Sequence, residues 1–336
     1  MSKLALIGQG AKVPSTRFRL EQYLPLWQQD GLAIELFQAK ISAYPPIERY
    51  KRPFWLINEL VGRACQLSAI NKSNLVVLQR QMISTLCTLE PLIEAPVVMD
   101  VDDAIFLHRS GHGANKIARS SDWIVCGNNF LAEHFSQYNQ NIVVIPTAVD
   151  TDRFSPLGKA TEEKFIGWSG SSSGFDYLYR IEQSLLKVLV SNPGWRLLIT
   201  SDKAPAFEHI PADFIEFVQW SPQNEVECIQ KMSIGLMPLE DSLWTRGKCS
   251  YKMLLYMACG VAVAVSSVGM NKDILSEAQV GVGAIDEDEW FTALSMLVND
   301  AAARKTFGEA GRRLVVEKYS TQACNQKWQD IFARYF

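Results

Sequence analysis

Arg246, Lys248 and Lys252 bring three cations together just ahead of the apolar run 253–257, with Gly260 as a stop and the strand-like stretch 261–265 behind it. Cations beside a helix N-terminus suit a phosphate, because free backbone N–H groups and the helix dipole both favour an anion there. A helix begun near Ser250 puts Lys252 in its first turn, about one turn from Lys248. A pyrophosphate at that terminus would be held by Lys248, with Lys252 or Arg246 as the second cation. The plainer alternative is a solvated basic loop before a buried helix. The abrupt change to Met253 and Leu254 favours a site at the border of the core.

A second phosphate candidate is the stretch 167–174, rich in glycine and serine, where a strand turns into a helical pattern over 175–190. Gly170, Ser171 and Ser172 would let the backbone approach a ligand and offer N–H and hydroxyl groups to an anion. A Ser/Gly turn that only caps a helix is the common alternative. The first strand ends at Gly8 and Gly10, followed by Arg17 and Arg19. A loop there faces the ligand crevice in doubly wound folds, so these arginines could meet an anionic acceptor or donor, or be plain helix-surface charges. Without a full Gly-x-Gly-x-x-Gly, and without an acid placed for a dinucleotide ribose, a nicotinamide enzyme is disfavoured.

Asp100, Asp102 and Asp103 stand together at the end of an apolar strand. They could hydrogen-bond sugar hydroxyls, assist in acid–base chemistry or bind a divalent cation; a helix cap is the alternative. His108 and His112 follow in a Gly/Ser-containing loop, but no spacing marks a metal site, and no Gly-x-Ser-x-Gly elbow is present. The segment 44–63 interleaves Arg49, Lys51, Arg52 and Arg63 with Tyr44, Tyr50, Phe54 and Trp55. That mixture suits an anionic membrane surface, with Trp55 and Phe54 entering the interface. Alternatively, the aromatic face belongs to the core.

These candidates need elements to hold them. Short β-rich runs at 4–7, 34–37, 75–78, 96–99, 123–126 and 142–145 alternate with helical patterns such as 17–29 and 129–138. The pattern restarts at 165–168 and continues at 196–200, 215–218, 234–237, 261–265 and 280–283. Alternation of this kind makes an α/β fold with parallel sheets. The chain has 336 residues, more than the ~250–300 at which a single core stops growing. Two doubly wound, Rossmann-like domains facing each other are therefore expected, one over 1–155 and one over 160–315. The polar, Pro/Gly-containing stretch 151–160 reads as their linker. The remainder, 316–336, contains a helix that could pack on the N-terminal domain or on its partner. A single large sheet is the alternative.

A net charge of −3 gives no reason to expect nucleic acid as the partner. Residues 1–66 nonetheless hold nine Lys/Arg against five Asp/Glu. Seven scattered cysteines without a Cys-x-x-Cys pair fit a reducing cytoplasm. The chain opens on a short strand rather than a signal peptide, and no apolar run reaches the ~20 residues of a spanning helix. The expected location is cytoplasmic, with peripheral contact at the inner membrane face through 44–63.

Several segments, taken in order, resemble the GT-B glycosyltransferases of family 4. Pro146, Val149 and Asp150 resemble the segment before that family's second domain, with Thr147 where Asn is usual. The run from Ile166 to Gly170 resembles the first strand and loop of the donor domain. Gly235 to Leu239, followed by Lys252 to Gly260, resembles the family's most recognisable block. Asp100 to Leu107 also recurs in a bacterial branch that builds cell-surface polysaccharides. The resemblance implies a cleft between two domains, a nucleotide-diphosphate sugar on the C-terminal one, and a glycan or lipid-linked acceptor on the N-terminal one. It implies hexosyl transfer with retention, without metal or cofactor, and with cations stabilising the departing diphosphate. Carried over, Lys248, Arg246 and Asp102 would be the catalytic groups. Gly170, Ser171, Ser172, Lys248, Lys252 and Asp241 would bind donor, and Gly10, Arg17, Arg19 and Asp103 would face the acceptor.

Two departures stand against a full carry-over. The family's paired glutamates are replaced by Gly247 and Leu255, and neither can accept a hydrogen bond from a ribose or sugar hydroxyl through its side chain. Glu240 or Asp241 could substitute. A non-catalytic nucleotide- or glycan-binding relative that acts with a partner, and a nucleotide-sugar epimerase, are therefore the alternative functions.

Overall fold

Continuous apolar runs become strands buried on both faces, as parallel sheets require. The computed structural model describes residues 2–10, 13–157 and 164–336. Its first sheet contains β1 (Lys3–Gly8), β2 (Ala33–Gln38), β3 (Leu75–Gln79), β4 (Val97–Val101), β5 (Trp123–Cys126) and β6 (Ile142–Val144). Its second contains β7 (Phe165–Ser169), β8 (Arg196–Ser201), β9 (Ile215–Gln219), β10 (Ile234–Met237), β11 (Ala262–Ser266) and β12 (Gly281–Ala284). Every pairing is parallel, in the orders β2-β1-β3-β4-β5-β6 and β12-β11-β10-β7-β8-β9. Numbered within its own unit, the second order is the 3-2-1-4-5-6 of dinucleotide-binding folds. The inner strands β3, β4, β7 and β10 are wholly buried, whereas the edge strands β2, β6 and β9 are half exposed.

The chain divides into two compact units. One gathers the residues up to Ala148, the three residues Gly247–Cys249, and Thr321–Phe336; the other holds Val149–Arg246 and Ser250–Ser320. The C-terminal helix Thr321–Phe332 is part of the first unit's core. There Trp328 meets Trp27 edge-on, with ring centroids 5.6 Å apart, and Trp27 Nε1 donates to Asn325 Oδ1 at 2.7 Å. The second unit has its own core, built around Trp168, Trp195 and Trp290.

Two expected helices are broken. Instead of one helix over 17–29, Pro14–Arg19 and Leu24–Gln29 flank a 3-10 turn at Glu21–Tyr23. Leu20 leaves helical geometry (φ −122°, ψ −61°). Pro25 sits in the first turn of the following helix, where a missing N–H costs least. The pattern over 175–190 splits at Ile181 into Phe175–Tyr179 and Glu182–Ser191. The Glu182 carboxylate turns back to accept the backbone N–H groups of His209 and Ile210. The expected linker is no loose tether along its described part. Arg312 fastens it by donating to Thr151 O at 3.0 Å and Phe154 O at 2.7 Å; residues 158–160 lie outside the described residues.

Candidate functional site

Strand order reverses once in each sheet, and the loops leaving the carboxyl ends of the strands at that point flank the crevice where open α/β sheets take ligands. In the second unit the reversal lies between β7 and β10, and in the first between β1 and β3.

At the end of β7 the Gly170 N–H donates to Thr200 O at 3.0 Å, and the chain then turns through residues 171–174. Helix Tyr251–Ala258 follows Ser250, which is left-handed (φ 50°) and supplies no side-chain cap. Lys252 lies in its first turn. The Lys252 stem passes over Gly170, where an added Cβ would come within 2.4 Å of the lysine Cε. Its ammonium sits 5.6 Å from the centre of the Trp168 ring. One turn further on, the Tyr256 hydroxyl accepts the Ser169 N–H at 2.9 Å and locks the helix to the strand end. A cation, a glycine turn and a helix N-terminus thus meet at the switch point, which is the chemistry of an anion site.

The serines do not form the open nest expected from the sequence. Asp202, just past β8, accepts the Ser172 N–H at 2.6 Å and its hydroxyl at 2.9 Å. Those hydrogen bonds, the backbone one foremost, hold the Asp202 carboxyl below its ordinary range. A phosphate would have to displace a carboxylate to reach Ser172. The Ser171 and Ser173 hydroxyls are 2.7 Å apart and satisfy each other. Arg246 ends the short helix Leu243–Arg246 in a two-point pair with Asp241, at 2.7 and 2.9 Å on the surface. Glu240 pairs with Arg180 at 2.7 Å.

In the first unit the three acids at the end of β4 do not all meet one cation. Asp100 is buried and takes two hydrogen bonds from Arg19, the Nε one at 3.0 Å. Arg19 also donates to Ile145 O at 2.9 Å. Burial opposes its charge, yet the Asp100 carboxylate outweighs burial and holds the guanidinium above its ordinary value. Arg19 is therefore a core group, not the acceptor-facing residue expected from its place after β1. Arg17 is half-buried, its guanidinium over the Phe18 ring at 4.3 Å. Gly10 has a φ of +136°, which only glycine adopts with ease. Beside it, the Gln9 amide donates to Gln79 O at 2.8 Å and joins the loops of β1 and β3.

Arg80, just past β3, organises the other two acids. Its Nε donates to Asp102 Oδ1 at 2.5 Å, Nη2 to Asp103 Oδ2 at 2.7 Å and Nη1 to the Tyr44 hydroxyl at 2.8 Å. The Lys248 ammonium reaches Asp103 Oδ1 at 2.8 Å. Burial would raise the Asp102 carboxyl, but the Arg80 charge and hydrogen bond, aided by Arg19 and Lys248, hold it below its ordinary value. Asp102 is therefore favoured as a carboxylate acceptor rather than a proton donor. Cys249, whose thiol burial pushes up to about 12, donates to Asp102 O at 3.2 Å and is inert. Lys248 belongs to the first unit, against Asp103, and Lys252 to the second, over Gly170. His108 and His112 are both exposed.

Residues 164–300 match the family model described as glycosyl transferases group 1. Apart from Gly247–Cys249, the matched stretch lies in the second unit. No curated protein sequence matches the chain. Among solved structures, the sucrose-phosphate synthase of Thermosynechococcus elongatus is similar over 99% of this chain and 100% of its own, with a TM-score of 0.73 at 14% identity. An alpha-glucosyltransferase solved with UDP gives 0.69 at 14% identity over 99% and 100% of the two chains. HepE of Anabaena, solved with UDP and glucose, gives 0.68 at 11% identity over 99% and 100%. Together with the two parallel sheets, these likenesses establish the fold as the pair of Rossmann-like domains of GT-B glycosyltransferases.

Within the matched stretch, the Leu255 side chain is buried. At the neighbouring departure, a Cβ added to Gly247 would stand 2.7 Å from Ala104 Cβ and 2.9 Å from Ala104 N. The first unit's backbone thus packs where the expected glutamate's side chain would begin. Sequence reasoning missed Arg80, Asp202 and Tyr256. For Arg80 the one signal was indirect, since acids clustered at a strand end need a cation nearby.

Proposed function

We propose that the chain is a retaining glycosyltransferase that moves a hexose from a nucleotide diphosphate to a glycan or lipid-linked acceptor in cell-surface polysaccharide synthesis. The observation that carries this reading is Lys252 poised over Gly170 at the switch point of a glycosyl transferases group 1 domain. The ammonium and the helix N-terminus beside it would stabilise charge growing on the departing diphosphate, a large term where water is excluded. Cationic side chains, not a metal, would carry that charge. Asp102 and Asp103, both held by Arg80, would accept hydrogen bonds from sugar hydroxyls. Lys248 would exchange Asp103 for a phosphate oxygen, and Arg246 could do the same at Asp241. Solved relatives of the same fold bind UDP, one of them with glucose, which supports a nucleotide-sugar donor. The free cysteines fit a reducing cytoplasm, and the exposed apolar face of helix Arg52–Ile70 fits work at a membrane surface.

Incubation with a panel of UDP- and GDP-sugars plus an extract of envelope acceptors should give transfer from one donor, and calorimetry should show binding of its nucleotide. Neither binding nor transfer with any donor would end this reading. Gly247 and the buried Leu255 favour a second one, a relative that binds nucleotide without transferring sugar. Nucleotide binding with no turnover of any donor would select it.

A further inference from the structure

Helix Arg52–Ile70 is built inside out. Its only charged residues are Arg52, Glu59 and Arg63, and the last two point inward and are buried. Glu59 accepts the backbone N–H groups of Lys40 at 3.2 Å and Ile41 at 2.8 Å. Arg63 donates to Gly8 O at 2.7 Å, and burial pulls its pKa down to about 10. Trp55, expected to enter a membrane, is also on the inner face and donates to Ser42 O at 2.9 Å. The outer face holds Phe54 (78% exposed), Ile57 (62%) and Val61 (55%), at helical spacing, and no charge beyond Arg52.

The apolar surface continues into the preceding loop, which is fastened to the helix. Arg52 Nε donates to Pro46 O at 3.0 Å, and the Glu59 bond holds Ile41. That loop is itself rich in exposed apolar side chains: Ile47 (91% exposed), Tyr50 (74%) and Ile41 (66%). Cations gather at the same end: Arg49, Lys51 and Arg52 are exposed, with Glu48 the one acid among them, 3.0 Å from Lys51.

We propose that this face docks on an anionic lipid bilayer. Scattered exposed apolar residues are ordinary, but a Phe/Ile/Val helical stripe whose one charge is Arg52, preceded by a loop with exposed Ile and Tyr, is not. Apolar side chains would enter the headgroup boundary while Arg49, Lys51 and Arg52 reach anionic headgroups. The excess of cations at the rim selects anionic lipid over a neutral surface. None of the described helices is long and apolar enough to cross a membrane, so the contact is peripheral. The proposal rests on the first unit's surface alone and stands whether or not the chain transfers sugar.

The test is sedimentation of the full chain with phosphatidylcholine vesicles, with and without phosphatidylglycerol. The wild type should partition on the order of tenfold more strongly onto the anionic vesicles. The double variant Phe54→Ser/Ile57→Ser should lose roughly tenfold or more of that binding, with an unchanged melting temperature because both residues are exposed. Arg49→Glu/Lys51→Glu should abolish the preference for anionic vesicles. Lys252→Ala should bind vesicles like the wild type, which separates this proposal from the transferase reading. Equal binding by wild type and Phe54→Ser/Ile57→Ser, or no binding to anionic vesicles, would overturn it. So would a wild-type dimer that the double variant converts to monomer without any vesicle binding, since a second copy would then cover the face.

Discussion

Arg80 holds two carboxylates and a phenol with one buried guanidinium. Removing one partner of a buried pair leaves the others uncompensated, so Arg80→Ala should cost about 3–5 kcal/mol, measured by urea denaturation at neutral pH. The pH dependence has a definite sign. The folded Asp102 pKa lies below its unfolded value, so its contribution is complete above the ordinary carboxylate range, near ~3.9. That contribution fades as pH falls through the depressed folded value. Stability measured from neutral pH down into the acid range should therefore drop less steeply in Asp102→Asn than in wild type. An equal slope in both would mean Asp102 has no such role. At the other site, on the proposed function, Lys252→Ala should weaken binding of the donor nucleotide about 10- to 100-fold, the worth of one charge-assisted contact, with the fold intact by circular dichroism. Gly170→Ala tests the same point from the opposite side. The nearest atoms to its methyl group would be the flexible lysine stem and the Trp168 edge, so it should loosen nucleotide binding more than it lowers stability.

At the scale of elements, the strands were legible because inner parallel strands are unbroken apolar runs that only a doubly covered sheet can use. Each of the expected strands forms, with ends shifted by a residue or two. The helices were less legible. Leu20 and Ile181 are buried residues that look helical in sequence, but their breaks answer to tertiary anchors such as the Glu182 carboxylate reaching the 209–210 backbone. The site divides in the same way. Lys252 and Gly170 were readable because a cation in a first helical turn and a glycine after a strand each have a local signature. Arg80 and Asp202 were not, since both act across strands and no spacing in the chain records it. The loop at 247 illustrates the limit further. Gly247 reads as a lost glutamate, while the structure shows a glycine pressed against Ala104. Gly247→Ala should thus destabilise the chain by about 1–3 kcal/mol through overpacking, and Gly247→Glu should not raise transfer activity. Melting curves and a donor assay on the two variants check both statements, and a stable, more active Gly247→Glu would refute them.

At the scale of the whole molecule, two separate aromatic cores belong to the two units. The first needs the far end of the chain, because Trp328, Ile331 and Phe332 complete the cluster around Trp27 and Tyr23. The second is complete within its own sheet and the helices around it. Perturbations should therefore act on one unit at a time. Trp328→Ala removes a fully buried ring and should lower the stability of the first unit by about 3–5 kcal/mol. On the proposed function, the donor nucleotide at a hundredfold excess over its dissociation constant should raise the second unit by about 2.7 kcal/mol. Calorimetry of the wild type with and without that nucleotide, and of Trp328→Ala, would then show two transitions that respond independently. A single transition that both changes move by equal amounts would mean that the two cores unfold as one cooperative body and that nucleotide binding is felt throughout the chain.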